Sequence, residues 1–138
     1  MKGALSIQQD FFKLMKKEIG SFIKGEVYLE GMRPDIEPNI PPKEDAIVIY
    51  KSGIQGQFQV GEVMVNIYIP DKNWNNKTIQ DFARCKEIED KMTSLKLTNG
   101  EYLIKLIDIP ETFPQEAINQ HYVNVRYKFR RKNYGSNN

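Results

Sequence analysis

Residues 55–95 read QGQFQVGEVMVNIYIPDKNWNNKTIQDFARCKEIEDKMTSL, and the change of hydrophobic period along this stretch decides the fold class. In its first half apolar residues fall on every second position: Val63, Val65, Ile67 and Ile69. Strand side chains alternate between the two faces of a sheet, so these four line one face while Glu62, Met64, Asn66 and Tyr68 line the other. Pro70-Asp71 stops the run and a polar loop follows. The spacing then becomes helical, with Ile79, Phe82, Ala83, Cys85, Ile88, Met92 and Leu95 forming a broad apolar stripe. Thr78 with Asp81 three residues later resembles a capping box, which predicts a helix over about 78–95. Such a helix can lie back across the apolar face of the strand and close a core.

Toward the N-terminus, Ser6 and Gln9 repeat the capping pattern at the start of a first helix. Leu5, Phe11, Phe12, Met15, Ile19 and Phe22 form its apolar side, Lys13, Lys16, Lys17 and Glu18 the opposite one, and Gly20 or Gly25 ends it. A short strand over 26–30 carries Val27 and Leu29. Residues 31–44 then include Pro34, Pro38, Pro41 and Pro42. Proline removes a backbone donor, so this segment cannot pair along its length as an inner strand, and it is long for a connection. DAIVIY over 45–50 is the second strand, and Gly53 and Gly56 mark a hairpin turn into the third.

Toward the C-terminus, Asn99-Gly100 signals a turn before a fourth strand at 102–109. Pro110 and Pro114 interrupt the chain. The last strand, 122–130, places Val123, Val125, Tyr127 and Phe129 inward and Asn124, Arg126, Lys128 and Arg130 outward, before a polar tail at 133–138. The expectation is a single α+β domain over 1–138. It has a mainly antiparallel sheet of about five strands with two helices packed on it, in the order α-β-β-β-α-β-β.

Composition narrows the function classes. At 40% hydrophobic and 28% charged residues the chain fits a globular protein, and a formal net charge of +2 exerts no strong pull on nucleic acid or membrane. One cysteine, Cys85, excludes an internal disulfide and reads as a buried structural thiol. No run approaches the roughly 20 apolar residues of a membrane span. Lys13, Lys16, Lys17 and Glu18 break the apolar start at Phe11 and Phe12, so no secretory signal is read. The expected location is the cytoplasm or a particle assembled there, and the Asn76-Lys77-Thr78 sequon is idle.

The candidate chemistry is thin. Pro70-Asp71 with Glu89-Asp90-Lys91 matches the PD…(D/E)xK pattern of a nuclease class, whose carboxylates converge from adjacent strands on a divalent metal. Here Glu89 falls on the polar face of a helix, where a solvated face with an i,i+4 Glu87–Lys91 pair is the better account. His121 is the only histidine and supplies no multi-histidine metal site; it reads as a partly exposed edge residue. GxxxxGK[ST] and GxSxG are both absent. No catalytic, cofactor-binding or metal residue is assigned. Arg126, Lys128 and Arg130 share one strand face, with Arg131 and Lys132 next and Tyr122 and Tyr134 nearby. Such a face can follow a phosphate backbone and stack bases. The near-neutral total charge favours a solvated sheet face or a charge-guarded edge strand instead, and a third reading is an acidic patch on a neighbouring subunit.

Three local features, in this order along the chain, resemble the tail-terminator and tail-completion proteins of long-tailed bacteriophages and prophages. An N-terminal helix leads into "GEVYLEGMRP"; the hairpin "EDAIVIY…SGIQGQFQVGEVMVNIYIPD" follows; and a helix within "NKTIQDFARCKEIEDKM" leads to two final strands. The resemblance spans most of the chain, and its motifs are structural. It implies a small α/β protein that closes into a ring, often hexameric, at the head-proximal end of the tail. There it stops tail-tube polymerisation and gives the head a docking face. On that footing the partners are other copies of the chain, the tail tube and the connector, and the location is the virion or the bacterial cytoplasm. The contact residues expected are Arg33 and Asp35 in the proline-rich loop, Ile54 and Gln57 in the 52–61 hairpin, and Met64 and Tyr68 on the third strand. For Met64 and Tyr68 burial beneath the second helix is an equal alternative. The basic patch Arg126, Lys128, Arg130 and Arg131 would line the channel, meet acidic neighbours, or bind nucleic acid.

Overall fold

The computed structural model describes residues 2–54 and 59–132, the side chains of 52–54 excepted. Along the chain lie helix α1 (Ala4–Ile19), strands β1 (Val27–Leu29), β2 (Ala46–Ile54), β3 (Val60–Pro70), β4 (Lys72–Trp74) and β5 (Lys77–Ile79), and helix α2 (Phe82–Ser94). Strands β6 (Tyr102–Leu106) and β7 (Glu111–Gln115), a 3₁₀ turn (Glu116–Ile118) and strand β8 (Gln120–Arg131) complete it. The α+β class, the two helices and the mainly antiparallel sheet are as expected.

The sheet itself departs from expectation in three places. It has six strands, ordered β1-β2-β3-β8-β6 with β7 also on β8. The extra strand is β7, hidden in the sequence by Pro114. Because β7 is an edge strand, a proline costs it no inner ladder bond, and Pro114 sits opposite His121. Strands β6 and β7 occupy the same edge of β8 in succession, so the expected strand at 102–109 stops at Leu106 and the edge is broken before Glu111. Second, the sheet is mixed: β1 runs parallel to β2. Parallel neighbours need a crossover of about a dozen or more residues, and the proline-rich segment is that connection. Third, the polar loop after β3 is a separate two-stranded hairpin, β4–β5.

That hairpin also delays the second helix. Thr78 is taken up in β5, where its hydroxyl donates to the Asn73 side chain. The cap is Asp81, whose Oδ1 accepts from the Arg84 N–H at 3.3 Å. Phe82, expected in the apolar stripe, is 68% exposed at the helix start. At the other end α1 begins at Ala4, two residues before the expected start, with Gly3 as its N-cap and no side-chain capping bond. Leu5 accordingly stands on its open side, exposed.

Both helices cover the same side of the sheet. Ile7, Phe11, Met15 and Ile19 of α1 and Cys85, Ile88 and Met92 of α2 join one buried cluster with Val48, Val63, Val65, Ile67, Val123, Val125, Tyr127 and Phe129. Burying each large apolar side chain of this kind is worth roughly 1.5–3 kcal/mol, so this layer holds the fold. Phe11 packs against Phe129 and Tyr102 with ring centroids 5.3 and 5.2 Å apart. Cys85 is buried here, and that burial raises its thiol pKa, which keeps it protonated and unreactive. Among the described residues no helix is long and apolar enough to cross a membrane.

Candidate interaction surface

The opposite face of the sheet is built by the alternate residues of the same strands, and neither helix lies over it. The register sets its rows. Ile47, Asn66 and Asn124 stand side by side; then Ile49, Met64 and Arg126; then Glu62, Lys128 and Lys105. At one end Tyr68, Tyr122 and Phe113 are cross-strand neighbours, with ring centroids 5.4 and 5.7 Å apart along the row. The Arg33 guanidinium continues this ladder, 4.6 Å from the Tyr68 ring centre. In the middle, Asn124 Nδ2 donates to Asn66 Oδ1 at 2.7 Å and touches Met64 Sδ at 3.5 Å. Met64 and Tyr68 are half-buried within this open face, and α2 packs on the other side of the sheet. Burial beneath the second helix is therefore not their position.

The proline-rich crossover is tied down by two adjacent buried carboxylates, Glu44 and Asp45, 3% and 6% exposed. Arg33 Nε donates to Asp45 Oδ2 at 3.0 Å, and its Nη2 reaches Gln120 Oε1 at 3.1 Å and the Lys43 carbonyl at 3.2 Å. The other oxygen of Asp45 accepts from the Glu26 N–H. Arg84 of α2 grips Glu44 in a two-pronged pair, at 2.8 and 2.6 Å, and donates to the Phe22 carbonyl. Its hydrogen bonds to Glu44 raise the Arg84 pKa further above its ordinary value. Gly25 lies so close to this corner that a Cβ there would fall 2.5 Å from the Glu44 carbonyl oxygen, which explains glycine at that position. Arg33, expected at a partner contact, is thus turned inward as an anchor of the loop. Asp35 is exposed, on a half-open cavity of about 220 Å³ that the loop lines together with Tyr28.

The remaining candidate residues are dispersed. Lys128 and Arg130 are exposed and Arg126 half-buried on the open face, but Arg131 belongs to the helix-covered side. There its Nε pairs with Glu101 at 2.7 Å, within a cluster that also ties Lys2 to Asp10 and Glu101, and Tyr102 to Asp10. Strand parity separates it from the patch in which the sequence grouped it. Ile54 pairs through its backbone with Val60, and Gln57 and much of the 52–61 hairpin lie outside the described residues. Of the nuclease-like residues, Asp71 pairs with His121 Nδ1 at 2.7 Å, Glu89 accepts from the Thr112 hydroxyl, and Lys91 lies over the Phe22 ring. Each has a different partner, and among the described residues no three His, Cys, Asp or Glu side chains are grouped to hold a metal.

One feature escaped the sequence reading: the β4–β5 arm. Asn75 and Asn76 both have positive φ, 48° and 61°, which is the signature of a two-residue type I′ turn. Trp74 beside the turn is 62% exposed. The Asn-Asn pair was the available signal, since asparagine tolerates the left-handed region better than most residues. No family model matches the chain, and no curated protein matches it in sequence.

Proposed function

We propose that this chain is a structural virion protein, a tail terminator or head–tail completion component. It acts by closing into a ring and docking to the tail tube and the head–tail connector. The observation that carries this is the open sheet face. A fold that needs only one face for its core still displays Ile47, Ile49, Met64, Tyr68, Tyr122 and Phe113 on the other, mixed with Asn and charged side chains. Apolar and aromatic groups mixed in this way with amide and charged ones are the make-up of a protein interface. Ring closure would use two different patches on each subunit, since heterologous contacts generate rings when the rotation closes.

The test is functional. Purified protein is added to polymerising tail-tube subunits and the tube lengths are read by electron microscopy. Tubes should stop short, with extra density at one end. An unchanged length distribution with no bound protein would overturn the assignment.

One observation favours nucleic-acid binding as a second reading. Lys105 stands directly opposite Lys128, with Arg126 and Arg130 along the same strand face. Like charges opposed across a sheet are unfavourable, and a polyanion would relieve them. Glu62 on the other side of Lys128 weakens that field. If the cations contact phosphates, replacing Arg126 and Lys128 should reduce the salt slope of DNA binding by about 0.9 per lost contact; binding that does not change removes the idea.

A further inference from the structure

We propose that copies of this chain join by seating Trp74 of one copy in the half-open cavity lined by the proline-rich loop of the next. This rests on the ring reading above and supplies one of its contacts.

The donor is the β4–β5 arm. Among the described residues its strands pair only with each other and not with the six-stranded sheet. A lone two-stranded hairpin is marginal in water, yet this one is shaped by the turn type whose twist matches its strands, with both central residues in the left-handed region. The turn and the Trp74–Lys77 register set which side of the arm carries the exposed indole, and such preorganisation lowers the ordering cost of binding. Tryptophan is among the residues most enriched where binding energy concentrates.

The acceptor is the cavity of about 220 Å³ under the crossover loop. Sites for drug-sized ligands run to roughly 300–1,000 Å³, so this one suits a single large side chain better. Pro34, Pro41, Pro42, Tyr28, Ile36 and Ile40 wall it. These give flat, stiff, apolar surfaces for an indole, and Ile36 and Ile40 are 40% and 57% exposed. Trp74 does not line the cavity of its own chain, so in this proposal the ring comes from a second copy.

Charge selects the same pairing. Lys72 and Lys77 flank Trp74 on the arm, both exposed. Around the cavity Arg33 and Asp45 neutralise each other, which leaves Asp35 and Glu37 against Lys43 and a net negative rim. Opposed signs of this kind steer encounter and fix orientation. Arm and cavity are different patches, so the contact is heterologous and can propagate around a ring.

Trp74 is the only tryptophan in the chain, so its fluorescence reports the contact directly. On passing from dilute to assembled protein, emission should shift to shorter wavelength and acrylamide quenching should fall. Trp74→Ala should weaken association about thirtyfold or more, with an unchanged far-ultraviolet circular dichroism spectrum. Glu37→Lys combined with Asp35→Lys should do the same from the cavity side. Mixed together, the two defective variants retain one intact arm and one intact cavity, and should form a pair that grows no further. Assembled protein whose Trp74 emission and quenching match the dilute state would overturn this contact and leave the ring reading standing. So would Trp74→Ala assembling like the unaltered chain. An unaltered chain that never assembles would overturn both.

Discussion

The two faces of the six-stranded sheet use the same strands for opposite purposes. On one face β3 and β8 place Val63, Val65, Ile67, Val123, Val125 and Phe129 under two helices, each at most 1% exposed. On the other, one residue out of step, the same strands carry Glu62, Met64, Tyr68, Tyr122, Asn124 and Arg126 with no helix above them. The first face spells a fold. The second has apolar content that the covered core does not use.

Breaking the covered face should have the largest effect on stability. Phe11→Ala removes a ring packed between Phe129 and Tyr102 and should cost about 3–5 kcal/mol in denaturant unfolding. Met64→Ala on the open face should cost less than about 1 kcal/mol in the same measurement while weakening self-association. If the two variants lose equal stability, the contrast between the faces is wrong. The anchor between α2 and the crossover loop comes next. Arg84→Ala leaves the buried Glu44 carboxylate without its partner and should cost about 3–5 kcal/mol. Hydrogen exchange should show the loss centred on 43–46, and a uniform loss would argue against an anchoring role.

A smaller effect is expected at the cap of α2, where Asp81→Ala should cost about 1 kcal/mol by thermal or chemical unfolding. The smallest is a pH effect at the rim of the covered face. Hydrogen bonds from Lys2 and Arg131, against the opposing cost of burial, hold Glu101 below its ordinary value of 4.5. Burial pushes Asp10 up, but bonds from Lys2 and Tyr102 outweigh it and leave it below 3.8. A depressed carboxylate adds stability that is complete above its ordinary value and is lost as pH falls through its lowered one. Unfolding midpoints should therefore drop below about pH 4, and Lys2→Ala should flatten that drop.

Much of the covered face was legible because period-two alternation in β3 and β8 is dictated by the pleat alone. The inward set in both strands could be named from spacing. What escaped depended on partners distant in sequence. β7 was obscured by Pro114, whose tolerance depends on its being at an edge, and edge status is a tertiary property. The parallel pairing of β1 follows from where the crossover lands, which Glu44 and Asp45 decide by engaging Arg84 and Arg33. Arg131 looked like a member of a basic run, yet odd and even positions of a strand face opposite ways. On the open face the same alternation made the outward sets of β3 and β8 readable, but not how they align with each other. Its continuity, from Phe113 through Tyr122 and Tyr68 to Arg33, joins residues from four separate segments.

Sedimentation equilibrium of the unaltered chain over a wide concentration range tests most directly whether the open face and its flanking loops exist to meet other copies. The 16.1 kDa chain should convert into a closed species of defined subunit number, reversed by Met64→Ala or Trp74→Ala. A single 16.1 kDa species at every concentration, with or without tail-tube protein, would contradict it.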